Sequence, residues 1–181
     1  MKNFLVAAAF AIYALAQVAT AHAGTTHGVW SSVASGCSLT NNVGTVTTAG
    51  ASIATSNGGN ITLFCPVHNI GPDLDTLGCS NVNSLWVTLK SSTSATNSGG
   101  VYPFLIKVNL SNGSETVIAN STGTPFHSTL TTTPNQSNAI GLSEALDFST
   151  YAYYVQVQMI GNATVHSTQT VYAISLGCFV F

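Results

Sequence analysis

Residues 151–160 have the sequence YAYYVQVQMI, in which the side chains alternate in character. One side of an extended chain would carry an apolar set made of Tyr151, Tyr153, Val155, Val157 and Met159. Gln156 and Gln158 would lie on the other side, because successive side chains of a strand point to opposite faces. This period of two predicts a β-strand with one face in a protein core.

The same alternation recurs on both sides of this segment. The predicted inward sets are Ile61, Leu63, Cys65 and Val67; Leu85, Val87 and Leu89; Phe104, Ile106, Val108 and Leu110; and Tyr172, Ile174, Leu176, Cys178 and Val180. In the third of these segments Lys107 and Asn109 would face the other way. Each segment therefore predicts a strand with one buried face.

Weaker strand patterns occupy residues 28–33, 43–53, 116–119 and 140–148. Clusters of Gly, Ser, Asn and Pro separate the strand segments at residues 55–60, 91–100, 111–114 and 131–138, as expected of turns and loops. Many short strands at turn-separated intervals indicate a sandwich or a barrel. We expect an all-β protein, an antiparallel β-sandwich of about eight or nine short strands.

The first residues have the pattern of an export signal. Lys2 precedes an apolar run at residues 4–16, and small residues follow at residues 19–23, which is the order of a secretory signal peptide. We expect a signal peptide at residues 1–23 and one β-sandwich domain at residues 24–181. Cleavage after Ala21 also fits the pattern, but cleavage after Ala23 is preferred. The mature protein would then be secreted or periplasmic, with no transmembrane segment.

Charge is scarce along the whole chain. Charged residues make up 4% of it, and its three basic residues are all lysines. Nucleic-acid binding needs clustered Lys and Arg, so we expect no nucleic-acid partner. We also expect no catalytic residues and no cofactor, because acids and histidines are few. Low charge and strand edges with few Lys or Pro residues predict self-association.

Four cysteines in an exported protein predict two disulfides rather than a metal site, since no close cysteine pairs with matching histidines occur. We expect the pairs Cys37–Cys65 and Cys79–Cys178, because Cys65 and Cys178 belong to inward sets and the other two lie in turn-like sequence. A competing arrangement joins Cys65 to Cys178 and Cys37 to Cys79, as in antibody domains.

Three groups of residues are candidate binding sites. Asp73 and Asp75 lie in a Pro-Asp turn that either binds Ca²⁺ or caps its own backbone. Cleavage after Ala21 would make His22 the N-terminal residue, which together with His27 would form a copper site. Trp86 and Tyr154 oppose the apolar sets of their strands and are candidates for a sugar-stacking platform.

Four short segments give the chain a family resemblance: Ser35-Gly36-Cys37, ITLFCPV at residues 61–67, YYVQV at residues 153–157 and TVYAISL at residues 170–176. With these in order, the chain resembles a group of small secreted bacterial proteins of unknown function. Many members of that group carry a cysteine in or near the late Tyr strand, whereas this chain has Cys178 instead. The resemblance implies no activity.

These features together predict an exported, non-catalytic β-sandwich with a structural, adhesive or binding role. One alternative is a carbohydrate-binding module, for which a surface glycan is the expected partner. The other is a small exported enzyme or a copper-binding protein. The alternatives require an aromatic platform or a cleft of converging polar groups.

Overall fold

Two antiparallel sheets form the fold of the chain. A computed structural model describes residues 25–43, 46–50, 52–55, 59–70, 81–91, 99–121, 125–126, 136–161 and 168–180. The strands in these ranges are β1 (Thr25–Val33), β2 (Ser38–Val43), β3 (Val46–Ala49), β4 (Ser52–Thr55), β5 (Asn60–Val67), β6 (Ser84–Ser91), β7 (Gly99–Asn109), β8 (Glu115–Asn120), β9 (Gln136–Gly141), β10 (Tyr151–Gly161) and β11 (Gln169–Val180). A 3-10 turn at Ala34–Gly36 follows β1.

The six-stranded sheet has the order β3-β4-β11-β6-β9, and β1 also pairs with β11. The five-stranded sheet has the order β2-β5-β10-β7-β8. Buried apolar side chains from both sheets form one core cluster, in which Leu85, Val87, Ile174, Val155 and Val157 are completely buried. The prediction of an all-β antiparallel sandwich is confirmed.

The described residues hold eleven strands rather than the predicted eight or nine. The strand predicted at residues 43–53 is two strands, because Gly50 takes a φ of 60° and turns β3 back onto β4. The strand predicted at residues 140–148 is also wrong, since β9 ends at Gly141. Beyond it, Leu142, Leu146 and Phe148 still pack against the core, which explains the apolar pattern that resembled a strand.

The predicted inward sets of β5, β6 and β10 are confirmed, with Tyr151 only half-buried. In β11, Ile174, Leu176 and Cys178 are buried as predicted, whereas Tyr172 is not. A register shift between Val171 and Ala173 explains the difference, since it brings Val171 into the core in place of Tyr172. Such bulges change the face to which a side chain points.

A disulfide joins Cys37 to Cys65, as predicted. Cys37 directly follows the 3-10 turn that carries the chain from β1 in one sheet to β2 in the other, so the bond fixes this crossing to β5. The bond also excludes the competing arrangement with Cys65 joined to Cys178. Cys178 is disulfide-bonded too, but Cys79 lies outside the described residues, so the Cys79–Cys178 pair stays a prediction.

The predicted signal peptide at residues 1–23 lies outside the described residues, and the division into leader and domain stays a prediction. Within the described ranges, no helix has the length and the apolar character needed to cross a membrane.

Candidate functional site

The outer surface of the five-stranded sheet carries most of the partly exposed aromatic rings on described strands. The core-facing side chains Tyr153, Val155, Val157 and Met159 of β10 are buried. Because the strand alternates, Tyr154, Gln156 and Gln158 must point away from the core, and all three are partly exposed. The outward side of β10 is therefore the middle of a solvent-facing surface.

The neighbouring strand β7 corrects the sequence prediction. Val101 and Leu105, not Phe104 and Ile106, belong to the core cluster. Both sides of β7 are apolar, so alternation alone does not decide which side is buried. Pairing with β10 decides it, since Leu105 lies opposite the buried Val155, and Phe104 lies opposite the outward Gln156.

Strand register sorts these outward residues into rows across the sheet. The three central rows are Thr62–Gln158–Tyr102, Phe64–Gln156–Phe104 and Pro66–Tyr154–Ile106, each written in the order β5, β10, β7. We define the aromatic face by six of these partly exposed residues: Phe64, Tyr102, Phe104, Tyr154, Gln156 and Gln158.

The aromatic face is well packed although it lies outside the core. The rings of Phe64 and Tyr154 have centroids 5.6 Å apart and are tilted by 42°, a favourable aromatic contact. Ile106 and Thr62 lie on the same side of the sheet and each is only 6% exposed. The larger side chains around them therefore cover these two residues.

Glu115 begins β8 at the edge of this surface, opposite Val108. Burial and then the nearby Glu115 carboxylate raise the pKa of Tyr154 above 10.0. The Glu115 carboxylate therefore lies near the hydroxyl of Tyr154, while Phe64 contacts the ring.

Positive charge lies elsewhere in the described structure. Lys107 is on β7 but faces the other way, and its Nζ lies 2.5 Å from Glu144 Oε1 and 4.9 Å from the ring centre of Tyr151. Its hydrogen bond with Glu144 is the main reason that the pKa of Lys107 is raised. Lys90 lies on β6 in the six-stranded sheet. Neither lysine contributes a charge to the aromatic face.

The two residues predicted to form a sugar-stacking platform lie on opposite sheets. Tyr154 belongs to the aromatic face, whereas Trp86 is a partly exposed residue of β6, opposite Ser175 of β11. They do not form one surface. The other tryptophan of the chain, Trp30, is buried in the core.

A groove of about 580 Å³ lies at the open side of the sandwich, between the edge strands β8 and β9. Its lining is mixed and includes Val117, Asn120, Phe126, Ile140 and Ser143. Ser143 Oγ donates a hydrogen bond of 2.8 Å to the carbonyl oxygen of Ile118, which links the two edges. The groove brings together no acid or histidine among its lining residues.

The described acids have structural partners. Glu144 pairs with Lys107, and Asp147 Oδ1 accepts hydrogen bonds from the backbone N–H and the hydroxyl of Ser149. Hydrogen bonds from Ser149 and Thr150 lower the pKa of Asp147. Within the described ranges, no three His, Cys, Asp or Glu side chains gather as metal ligands would.

The two metal sites considered from the sequence fall largely outside the described residues. This applies to Asp73 and Asp75 of the calcium candidate and to His22 of the copper candidate. His27 lies in β1, where its backbone pairs with Cys178.

Sequence reasoning missed Phe64 and Phe104 as surface residues. Phe64 had a usable signal, since it lies between Leu63 and Cys65 and so opposes the inward set of β5. Phe104 had none, because both sides of its strand are apolar. The outward position of Gln156 and Gln158 was predicted correctly.

No protein-family model and no curated protein matches the sequence. Solved structures give distant resemblances. A low affinity xylan binding module, CBM86, from Roseburia intestinalis matches at 9% identity and a TM-score of 0.40, over 84% of this chain and 95% of that one. A family 29 carbohydrate-binding module complexed with cellulohexaose matches at 11% identity and a TM-score of 0.37, over 84% and 91%.

A family two carbohydrate esterase from Cellvibrio japonicus matches at 15% identity and a TM-score of 0.36, over 87% of this chain. The chain spans 35% of the length of that esterase. The chain thus has a distant structural resemblance to β-sandwich carbohydrate-binding modules.

Proposed function

We propose that this chain is an exported, non-catalytic β-sandwich that binds carbohydrate through the aromatic face. The observation that carries the proposal is the set of partly exposed rings around Gln156 and Gln158 on the outside of the five-stranded sheet. The inner side of the same strands already fills the core, so packing of the sandwich does not account for these outward rings.

The chemistry of this surface matches that of a sugar. A pyranose ring has C–H groups that stack on aromatic rings, and hydroxyl groups that both donate and accept hydrogen bonds. A glutamine side chain also does both, through its NH₂ group and its carbonyl oxygen. Tyrosine adds a hydroxyl to an apolar ring. Aromatic rings next to amide side chains can therefore contact both the C–H groups and the hydroxyl groups of a sugar.

The surface is also prepared for binding before a ligand arrives. Phe64 and Tyr154 contact each other, and Glu115 lies near the hydroxyl of Tyr154. Side chains that are already ordered lose less conformational entropy when they bind. A structural or adhesive role is compatible with this proposal, because adhesion to a glycan surface uses the same contacts.

Binding to an array of glycans tests the proposal, followed by affinity measurements on variants. We expect Tyr154→Ala to weaken binding roughly tenfold, equal to about 1.4 kcal/mol. Trp86→Ala is the matched control, since it removes a partly exposed aromatic ring from the opposite sheet and should leave affinity unchanged. Thermal unfolding of both variants shows whether the fold is kept.

Two results would overturn the proposal. One is the absence of binding to any glycan of the array. The other is loss of binding in Trp86→Ala with full binding in Tyr154→Ala, which would move the site to the six-stranded sheet.

A further inference from the structure

The central row of the aromatic face contains two phenylalanines, and a ligand would have to match the spacing between them. Phe64 and Phe104 each lie directly opposite Gln156, one on each neighbouring strand. Strands of a sheet are about 4.8 Å apart, so the two phenylalanine positions are roughly 10 Å apart. This is about the length of two sugar units in an extended polysaccharide.

We propose that the ligand is an uncharged, extended β-1,4-linked hexose polymer that lies across the strands along this row. This inference rests on the proposed function. In a β-1,4-linked chain each sugar is turned over relative to the one before it, so alternate sugars present the same face. Phe64 and Phe104 then stack on alternate sugars, and Gln156 bonds to hydroxyl groups of the sugar between them. A helical α-1,4-linked chain turns its sugars away from a flat surface and does not meet both rings.

The row continues beyond its two rings. Ser38 of β2 pairs with Phe64, and Asn120 of β8 pairs with Phe104. Ser38 is exposed and Asn120 is partly exposed. The whole row therefore crosses five strands and spans roughly 19 Å, which accommodates about four sugars. Affinity should rise with ligand length up to about that number.

The charge of the surface selects an uncharged ligand. Glu115 lies at its edge, while Lys107 pairs with Glu144 on the other side of the strand and Lys90 is in the other sheet. The chain has only one further basic residue, Lys2, within the predicted signal peptide. Binding of an anionic polysaccharide would place its carboxylates near Glu115 without a cation to balance them.

Calorimetric titration with oligosaccharides tests the inference. Cellohexaose and mannohexaose represent the proposed class, maltohexaose is the α-1,4-linked comparison, and polygalacturonic acid is the anionic one. We expect the first pair to bind at least tenfold more tightly than the other two ligands. Affinity should increase from the disaccharide to the tetrasaccharide and change less than twofold beyond the pentasaccharide.

Variants locate the two rings on the ligand. Phe64→Ala and Phe104→Ala should each weaken binding of the hexasaccharide roughly tenfold. Each substitution should weaken binding of a disaccharide much less, because a disaccharide contacts only one ring and can still bind at the ring that remains. Trp86→Ala again serves as the control, and circular dichroism confirms that each variant is folded.

The outcomes separate this inference from the proposed function. Binding of maltohexaose or polygalacturonic acid as tightly as cellohexaose, with loss of binding in Phe64→Ala, overturns the ligand class and keeps carbohydrate binding. Loss of binding in Phe64→Ala together with full binding in Phe104→Ala overturns the claim that the ligand contacts both phenylalanines of the row. No binding to any of these sugars or to the glycan array overturns both proposals, as does a dimer that forms through this face and dissociates in Phe64→Ala.

Discussion

At the scale of single residues, the ion pair of Lys107 and Glu144 accommodates a charged side chain that is largely buried. Lys107 is 18% exposed and Glu144 is 40% exposed. A partly buried lysine is costly without a partner, and Lys107 has both the carboxylate and the Tyr151 ring beside it. This explains why a charged side chain is tolerated on the core-facing side of β7.

Replacing the partner should change the titration of the lysine. In Glu144→Gln, the pKa of Lys107 should fall, because the hydrogen bond and the negative charge that raise it are removed while burial still lowers it. An NMR titration of the lysine side-chain carbon measures this. Glu115→Gln is the control and should leave the pKa of Lys107 unchanged; an unchanged value in Glu144→Gln would show that the ion pair is not formed in solution.

At the scale of elements, the start of β7 depends on a close approach between backbones. Gly99 pairs with Gly161 of β10 and has a φ of 86°. A Cβ at this position would lie 2.0 Å from the carbonyl oxygen of Ile160. The strand therefore begins at a residue that needs glycine for both its conformation and its space, and β7 in turn carries Tyr102 and Phe104.

A pair of glycine variants separates these two requirements. Gly113 lies in the turn between β7 and β8 with a φ of 72°, and a Cβ there would meet nothing within 4 Å. Gly113→Ala should lower the free energy of unfolding by roughly 1–2 kcal/mol through backbone strain alone. Gly99→Ala should cost at least about 1 kcal/mol more, because the added methyl group clashes with backbone. Chemical denaturation compares them, and equal losses would contradict the close approach.

At the scale of the whole molecule, three groups make the stability sensitive to alkali. The folded state raises the pKa of Tyr153 mainly through burial, of Tyr154 through burial and Glu115, and of Lys107 through Glu144. Their ordinary pKa values are 10.0 for tyrosine and 10.5 for lysine. A raised pKa means that the folded state holds its proton more tightly than the unfolded state does.

The stabilisation from these groups is complete below pH 10.0 and is lost as the pH rises through their folded pKa values. We therefore expect the free energy of unfolding to fall as the pH rises above about 10 and to be nearly constant between about pH 7 and pH 9. Denaturant unfolding at a series of pH values measures the change. Tyr154→Phe should make the fall shallower, and an identical slope in this variant would exclude Tyr154 as a contributor.

The candidate site shows what can and cannot be inferred before the fold is known. Alternation in residues 151–160 correctly places Tyr154, Gln156 and Gln158 outside the core, because a single strand determines it. Alternation fails for β7, where Phe104 and Leu105 are equally apolar. Trp86 and Tyr154 have equivalent positions in their strands, since each opposes the apolar set. No local feature of the sequence shows that the two strands belong to different sheets.

The sequence by itself determined the all-β class and the inward sides of β5, β6 and β10, because these follow from local periodicity. It favoured the Cys37–Cys65 pair from the side that each cysteine faces, but it left a second arrangement open until the structure showed the bond. The tertiary structure decided the strand order, the buried side of β7 and the Phe64–Gln156–Phe104 row. These three residues are far apart in the chain and meet only because β10 pairs with β5 on one side and β7 on the other. Register between distant strands depends on the packing of the whole sandwich, which no single segment encodes.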